Sequence, residues 1–239
     1  MTMARIRVYA ILVVAALTPG TYADAQTIDS TLIGGWVLIY GATEGKEHQV
    51  GIAEIAPGGE GLIVDWQVEG RRARGVGFYR DSILWVARGW GNDPGTCMYE
   101  ISGHAISGIW SLIGSDGLTG TESWSGGNVD ASSARFAIAG VNPDGSRYEG
   151  EVLTRREGNV YDVKWIVGDN TFYGIGIRSG ARLVVAWCSE GSVDVARFSP
   201  DGDGWRGISA TLGQSSTRDE RLLRPSTAPP RETPNNTRR

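Results

Sequence analysis

Shifted by 99 residues, the chain lies on itself: the stretch from about Ile39 to Gly108 matches the stretch from Ile138 to Gly207 without a gap. Gly41 falls on Gly140, Gly51 on Gly150, Gly59 on Gly158, Trp66 on Trp165, Gly75 on Gly174, Gly77 on Gly176, Leu84 on Leu183 and Gly108 on Gly207. Glycine marks places where the backbone admits no side chain, and tryptophan marks large apolar cores, so this duplication repeats an architecture. In the same register no set of acids, bases or metal ligands recurs. The repeat therefore speaks for the build of the molecule and not for a duplicated chemistry.

The build is all-β. Glycine, 35 of 239 residues, is about twice as frequent as usual and has no collagen-like period. It separates runs rich in Val, Ile, Trp, Tyr and Phe that have the length of strands. In Leu62-Ile63-Val64-Asp65-Trp66-Gln67-Val68 the apolar residues alternate with polar ones, and Tyr161 to Val167 repeats the alternation. One face is buried and the other wet, which indicates antiparallel pairing. Asn142-Pro143-Asp144-Gly145, Ser115-Asp116-Gly117, Pro57-Gly58-Gly59 and Asp201-Gly202-Asp203-Gly204 have the composition of tight turns. In the first copy the pattern predicts strands at about 33–41, 47–56, 61–69, 73–80, 82–89, 96–102, 105–113 and 118–124, with a similar series from 132 to 223. The expectation is an antiparallel β-barrel, or barrel-like sheets, built from two tandem homologous repeats, with one barrel or two left open. The mid-strand pairs Gly75/Gly77 and Gly174/Gly176 predict sharp coiling or close backbone approach. Short antiparallel strands beginning at a Gly-Gly-Trp, here Gly34-Gly35-Trp36, resemble in style the small barrels of lipocalins and avidins. That resemblance implies a barrel and no particular ligand.

Residues 1–25 read as a signal peptide: Arg5 and Arg7 precede the short apolar run Tyr9 to Leu17, and Ala23-Asp24-Ala25 offers a cleavage site before Gln26. The apolar run is too short to span a membrane. The expected product is secreted or periplasmic, with no integral membrane span in the mature chain. Residues 31–125 form the first β repeat and 130–224 the second. Residues 225–239, with four prolines and no large apolar residue, read as a disordered tail. The net charge of −4 and the lack of a basic stripe argue against nucleic acid as a partner. Arg71-Arg72-Ala73-Arg74 is a local basic cluster whose counterpart, Asn170-Thr171-Phe172-Tyr173, carries no charge.

Catalytic signatures are sparse. His48 and His104 are the only histidines, and neither has a metal-binding spacing. There is no nucleophile elbow, phosphate loop, dinucleotide fingerprint or calcium loop. No metal and no cofactor is expected. Glu122, Glu151 and Asp116 are the carboxylates that could pair as in glycoside hydrolysis. Cys97 and Cys188, one per repeat at different repeat positions, are candidates for a disulfide joining the halves or for two buried thiols.

Tryptophan is the better lead, with nine in the chain. Trp66 and Trp165 coincide and read as core. Trp85, Trp90, Trp110, Trp124, Trp187 and Trp205 have no Trp opposite them in the other copy, so the copies differ in their aromatic linings. From these we expect Trp85, Trp110, Trp187 and Trp205 to bind ligand, because flat apolar rings with a polar N–H suit small-molecule, glycan or peptide pockets. The leading expectation is an exported, non-enzymatic binding or adhesion-type protein whose partner is a small molecule, a glycan or a protein. The alternatives are a structural or envelope-associated protein that binds a protein partner, and a carboxylate-dependent glycan hydrolase. An integral outer-membrane barrel fits less well, because the strands are short and carry charge on their presumed outer faces.

Overall fold

The structure, a computed structural model, describes residues 30–40, 48–90, 94–115 and 117–225. The signal peptide, nearly all of the tail and Asp116 lie outside these residues. After a 3₁₀ turn at Ser30–Leu32 come sixteen strands. Those of the first repeat are β1 (Gly34–Tyr40), β2 (His48–Gly58), β3 (Gly61–Val68), β4 (Arg71–Arg80), β5 (Ile83–Gly89), β6 (Gly95–Ser102), β7 (Ala105–Leu112) and β8 (Thr119–Ser125). Those of the second are β9 (Ser133–Val141), β10 (Arg147–Glu157), β11 (Val160–Val167), β12 (Asn170–Ser179), β13 (Arg182–Cys188), β14 (Val193–Asp201), β15 (Gly204–Thr211) and β16 (Thr217–Leu223). The expected strands are found with ends shifted by one or two residues. The Asn142 turn closes as its composition predicts, with the Gly145 N–H on the Asn142 carbonyl at 2.9 Å and Gly145 at φ 85°.

The strands close into two eight-stranded antiparallel barrels. These barrels do not coincide with the repeats. The second barrel is the uninterrupted run β6 to β13, closed by β13 pairing with β6. The first is formed by the two ends of the chain, β1 to β5 and β14 to β16, closed by β1 on β16 and β5 on β14. One barrel is thus inserted between β5 and β14 of the other. Homologous strands still occupy homologous places: β1–β5 correspond to β9–β13, and β14–β16 to β6–β8.

Alternation along the strands produces three apolar cores. Trp36, Leu38, Leu62, Trp66 and Phe198 pack in the first barrel, and Tyr99, Trp124, Phe136, Val163 and Leu183 in the second; an eight-stranded barrel is just wide enough to be filled by side chains or to hold one small ligand. A third layer lies between the barrels, where the outer faces of β4, β5 and β14 meet those of β6, β12 and β13 through Phe78, Trp85, Val195, Met98, Ile175 and Val184. Elsewhere the outer faces carry many charged pairs, such as Arg135 on Glu151 at 2.9 Å and Arg155 on Asp162 at 2.7 Å, with Ile52 and Tyr173 as exposed apolar exceptions. No helix among the described residues is long and apolar enough to cross a membrane.

The mid-strand glycines allow close approach. A Cβ on Gly75 would lie 2.5 Å from the Ala87 carbonyl oxygen and 3.1 Å from the Trp66 indole nitrogen. Its counterpart on Gly174 would lie 2.7 Å from the Ala186 oxygen and 2.8 Å from the Trp165 ring. Each repeated tryptophan is therefore seated against a repeated glycine.

Candidate functional site

The interior of each barrel holds one buried glutamate, and the two are equivalent. Glu122 on β8 faces Gly108 on β7, and Glu220 on β16 faces Gly207 on β15. Since Gly108 and Gly207 coincide in the repeat, so do the glutamates. One acid is therefore shared by the copies, outside the 99-residue register in which no set of acids, bases or metal ligands recurs. The turn between β15 and β16 is one residue shorter than that between β7 and β8, so the 99-residue register breaks just before the glutamates. Allowing for that gap, Thr119-Gly120-Thr121-Glu122 aligns with Thr217-Arg218-Asp219-Glu220, and the shared Thr and Glu were the available signal.

The first barrel neutralises its glutamate internally. Arg88, fully buried, donates to both oxygens of Glu220 at 3.0 and 2.7 Å and lies 3.5 Å from Asp194. Ser209 also donates to Glu220, and the Trp90 indole donates to Asp194 at 2.9 Å. The guanidinium stands over the Trp66 ring, 5.0 Å from its centroid. Burial works against the Arg88 charge, but the carboxylates of Glu220 and Asp194 outweigh it and hold the pKa above its ordinary value.

In the second barrel the same place has no cation. Glu122, 6% exposed, accepts on Oε1 from Tyr99 at 2.6 Å, Trp124 at 2.5 Å and Trp165 at 3.1 Å, and on Oε2 from Tyr148 at 2.8 Å. Two of these donors are indoles, which can only donate, so the carboxyl is held as an acceptor. Burial pushes the Tyr148 hydroxyl well up, and the Glu122 charge adds to it. Burial also raises the Tyr99 hydroxyl and the Cys97 thiol, again reinforced by neighbouring charge including Glu122.

Around Glu122 the chain has exchanged polar cross-strand pairs for an aromatic ring resting on a glycine. Where the first barrel pairs Arg88 with Asp194, the second pairs Trp187 with Gly95. Where the first pairs Ser209 with Arg218, the second pairs Trp110 with Gly120. Opposite Glu220 stands Tyr40; opposite Glu122 stands Gly140, and Tyr148, the cross-strand partner of Gly140 on β10, covers it instead. A Cβ at Gly95 would lie 2.1 Å from the Trp187 ring, one at Gly120 2.4 Å from Trp110, and one at Gly140 2.2 Å from Tyr148. Glycine is required at all three because each ring occupies the space a Cβ would take. Phe172 sits edge-on to Trp187 at 5.4 Å, and Trp110 edge-on to Trp187 at 6.2 Å.

These rings line a partly open cavity of about 190 Å³. Glu122 and Trp165 form part of its wall, and Asn142, in the turn after β9, and Asn170, at the start of β12, contribute polar groups. Of the tryptophans expected to bind ligand, Trp110 and Trp187 meet in this cavity. Trp205 instead packs inside the first barrel against Tyr79 at 6.0 Å. Trp85 is 1% exposed in the layer between the barrels. Trp165, read from sequence as simple core, is part of the site, as are Tyr148 and Phe172, for which the sequence offered no pattern.

The remaining candidates are dispersed. Glu151 projects outward from β10 into its contact with Arg135, on the opposite side of the wall from Glu122. His104 lies in the β6–β7 turn. Cys97 and Cys188 are both buried and not joined to each other, Cys97 in the second barrel's interior and Cys188 in the layer between barrels. The wall of the barrel separates the two thiols, so the disulfide considered from sequence is not formed. Comparison with known protein families, curated protein sequences and solved structures returns no match.

Proposed function

We propose that this is an exported, non-enzymatic binding protein whose second barrel takes up a small ligand while the first serves as its scaffold. The observation that carries this reading is the contrast at one homologous place: Arg88 and its carboxylates fill the first barrel, whereas the second keeps a cavity of about 190 Å³ ringed by Trp110, Trp187, Phe172 and Tyr148. Apolar walls with a few placed polar groups are the usual character of a small-molecule site. The volume is below that of a typical drug-sized site, so the ligand is a small molecule or one group of a larger one. Export is supported by the basic and apolar pattern of residues 1–25.

Native mass spectrometry of the mature protein purified from its own host compartment, followed by denaturation, tests this. A reproducible small molecule released on unfolding is the expected result. Protein that is consistently empty, with tryptophan emission unmoved by any small aromatic or cationic probe, would overturn it.

A further inference from the structure

Resting on that reading of the second barrel, we infer that its ligand is an organic cation of the guanidinium or amidinium type, seated against Glu122. The first barrel supplies the template. There, a glutamate at the same place and a tryptophan at the same place are engaged by one planar cation: Arg88 is bidentate to Glu220 and stands over Trp66. The second barrel keeps the glutamate, as Glu122, and the tryptophan, as Trp165, and has replaced the arginine by Trp187. The receptor half of the arrangement is present, and the cation is the part the second barrel does not itself provide.

The lining agrees in charge and in shape. Among the described residues around the cavity Glu122 is the only carboxylate, and no Lys, Arg or His accompanies it there. The Cys97 thiol, raised by burial, stays neutral. Glu122 Oε1 already accepts three hydrogen bonds, but Oε2 accepts only the one from Tyr148, leaving acceptor capacity on the oxygen. Neutral O–H and N–H donors hold a carboxylate's charge in place without cancelling it. A bound anion would be repelled by that carboxylate at close range. A bound guanidinium or amidinium would gain a charge-assisted hydrogen bond and the faces of Trp110, Trp187 or Trp165, interactions that strengthen as water is excluded. Either a free small molecule or the side chain of an arginine in a peptide presents this chemistry.

The test uses the full mature chain and three isosteric probes, benzamidinium, benzamide and benzoate, followed by calorimetry and tryptophan emission. Benzamidinium is expected to bind at least about tenfold more tightly than benzamide, with benzoate weakest. Glu122→Gln is expected to abolish the advantage of benzamidinium while leaving benzamide affinity within about twofold. A second variant guards against a folding defect: Trp187→Arg with Gly95→Asp rebuilds the first barrel's internal cation and is expected to bind none of the probes. Acetyl-arginine-amide binding as well as benzamidinium would assign the cation to a peptide side chain; benzamidinium alone would assign a free small molecule. Benzamide binding as tightly as benzamidinium, or a host-derived ligand without a basic group, overturns the cation inference and leaves the pocket reading intact. Host-purified protein that is empty and binds no probe overturns both.

Discussion

Arg88 and Trp187 occupy one homologous position, and the difference between them decides what each barrel interior is for. Arg88 is the only cation touching Glu220 and Asp194 in the described structure, so Arg88→Met leaves two buried carboxylates uncompensated. Removing one partner of a buried ion pair typically costs about 3–5 kcal/mol, whereas replacing the whole group with well-packed neutral residues is often neutral. Urea unfolding should show that loss for Arg88→Met, and should show most of it recovered on adding Glu220→Leu and Asp194→Asn. An equal loss in the triple variant would mean that shape, and not charge, sets the cost. The second barrel's cluster carries a pH signature instead. The Tyr99 and Tyr148 hydroxyls and the Cys97 thiol are all raised by burial first, with neighbouring charge adding to it. Their neutral forms are favoured by folding, so their contribution is fully present below the unfolded values, 9.0 for Cys and 10.0 for Tyr, and is lost as pH rises past them. The melting temperature should fall from about pH 9 upward, and Tyr148→Phe should flatten the part of that fall above pH 10. A melting temperature independent of pH between 8 and 11 would contradict this.

At the level of strands, the sequence disclosed nearly everything local and nothing about partnership. The alternation of Leu62 to Val68 and the glycines of each turn determine which residues face inward and where hairpins close, and those expectations hold to within a residue or two. The exchange of partners was hidden for a physical reason. Trp90 to Pro94 links β5 to β6 over a length that suits a hairpin, yet β5 pairs with β14 and β6 with β13. Because β14 is the homologue of β6, and β13 of β5, either choice of partner presents nearly the same edge and the same apolar alternation. No local pattern distinguishes a hairpin from a crossing into the neighbouring barrel. The cavity was half legible for a similar reason: unpaired tryptophans marked Trp110 and Trp187, but their roles depend on Gly95 and Gly120, which meet them only across strands. If the barrel and not the repeat is the folding unit, residues 94–189 excised alone should fold, because all eight pairings that close that barrel lie inside the segment. Joining 30–90 directly to 191–225 should give the complementary barrel. Dispersed amide spectra and far-UV dichroism of the two pieces would check this; an unfolded 94–189 would show that the shared apolar layer is needed to hold it.

For the molecule as a whole, that shared layer determines whether two barrels behave as one. It is built from large side chains on strands that are also barrel walls, with Phe78 and Trp85 from one side and Met98, Ile175 and Val184 from the other. Thr96 on β6 donates to the Val76 carbonyl on β4 at 2.6 Å, and Arg182 on β13 bonds Asp81 beyond β4, so polar contacts tie the barrels as well. β5, β13 and β14 are buried on both faces, which means that melting either barrel exposes one wall of the other. Insertion adds a second constraint, since along the chain the first barrel's two halves are connected only through the second barrel, between β5 and β14. Both arguments favour a single cooperative transition over the stepwise unfolding common in two-domain chains. Trp85 is the side chain on which to test it, being 1% exposed and not part of the cavity lining. Trp85→Ala should cost about 3–5 kcal/mol through the void it leaves, and far-UV dichroism and tryptophan emission should still report one coincident urea transition at a lower midpoint. Coincidence also carries ligand stabilisation across the layer: a molecule bound beside Glu122 should slow hydrogen exchange at β3 and β16 of the first barrel, which it does not touch. Two separated transitions in the parent protein, or protection confined to β6–β13, would mean that the barrels share a wall without sharing their stability.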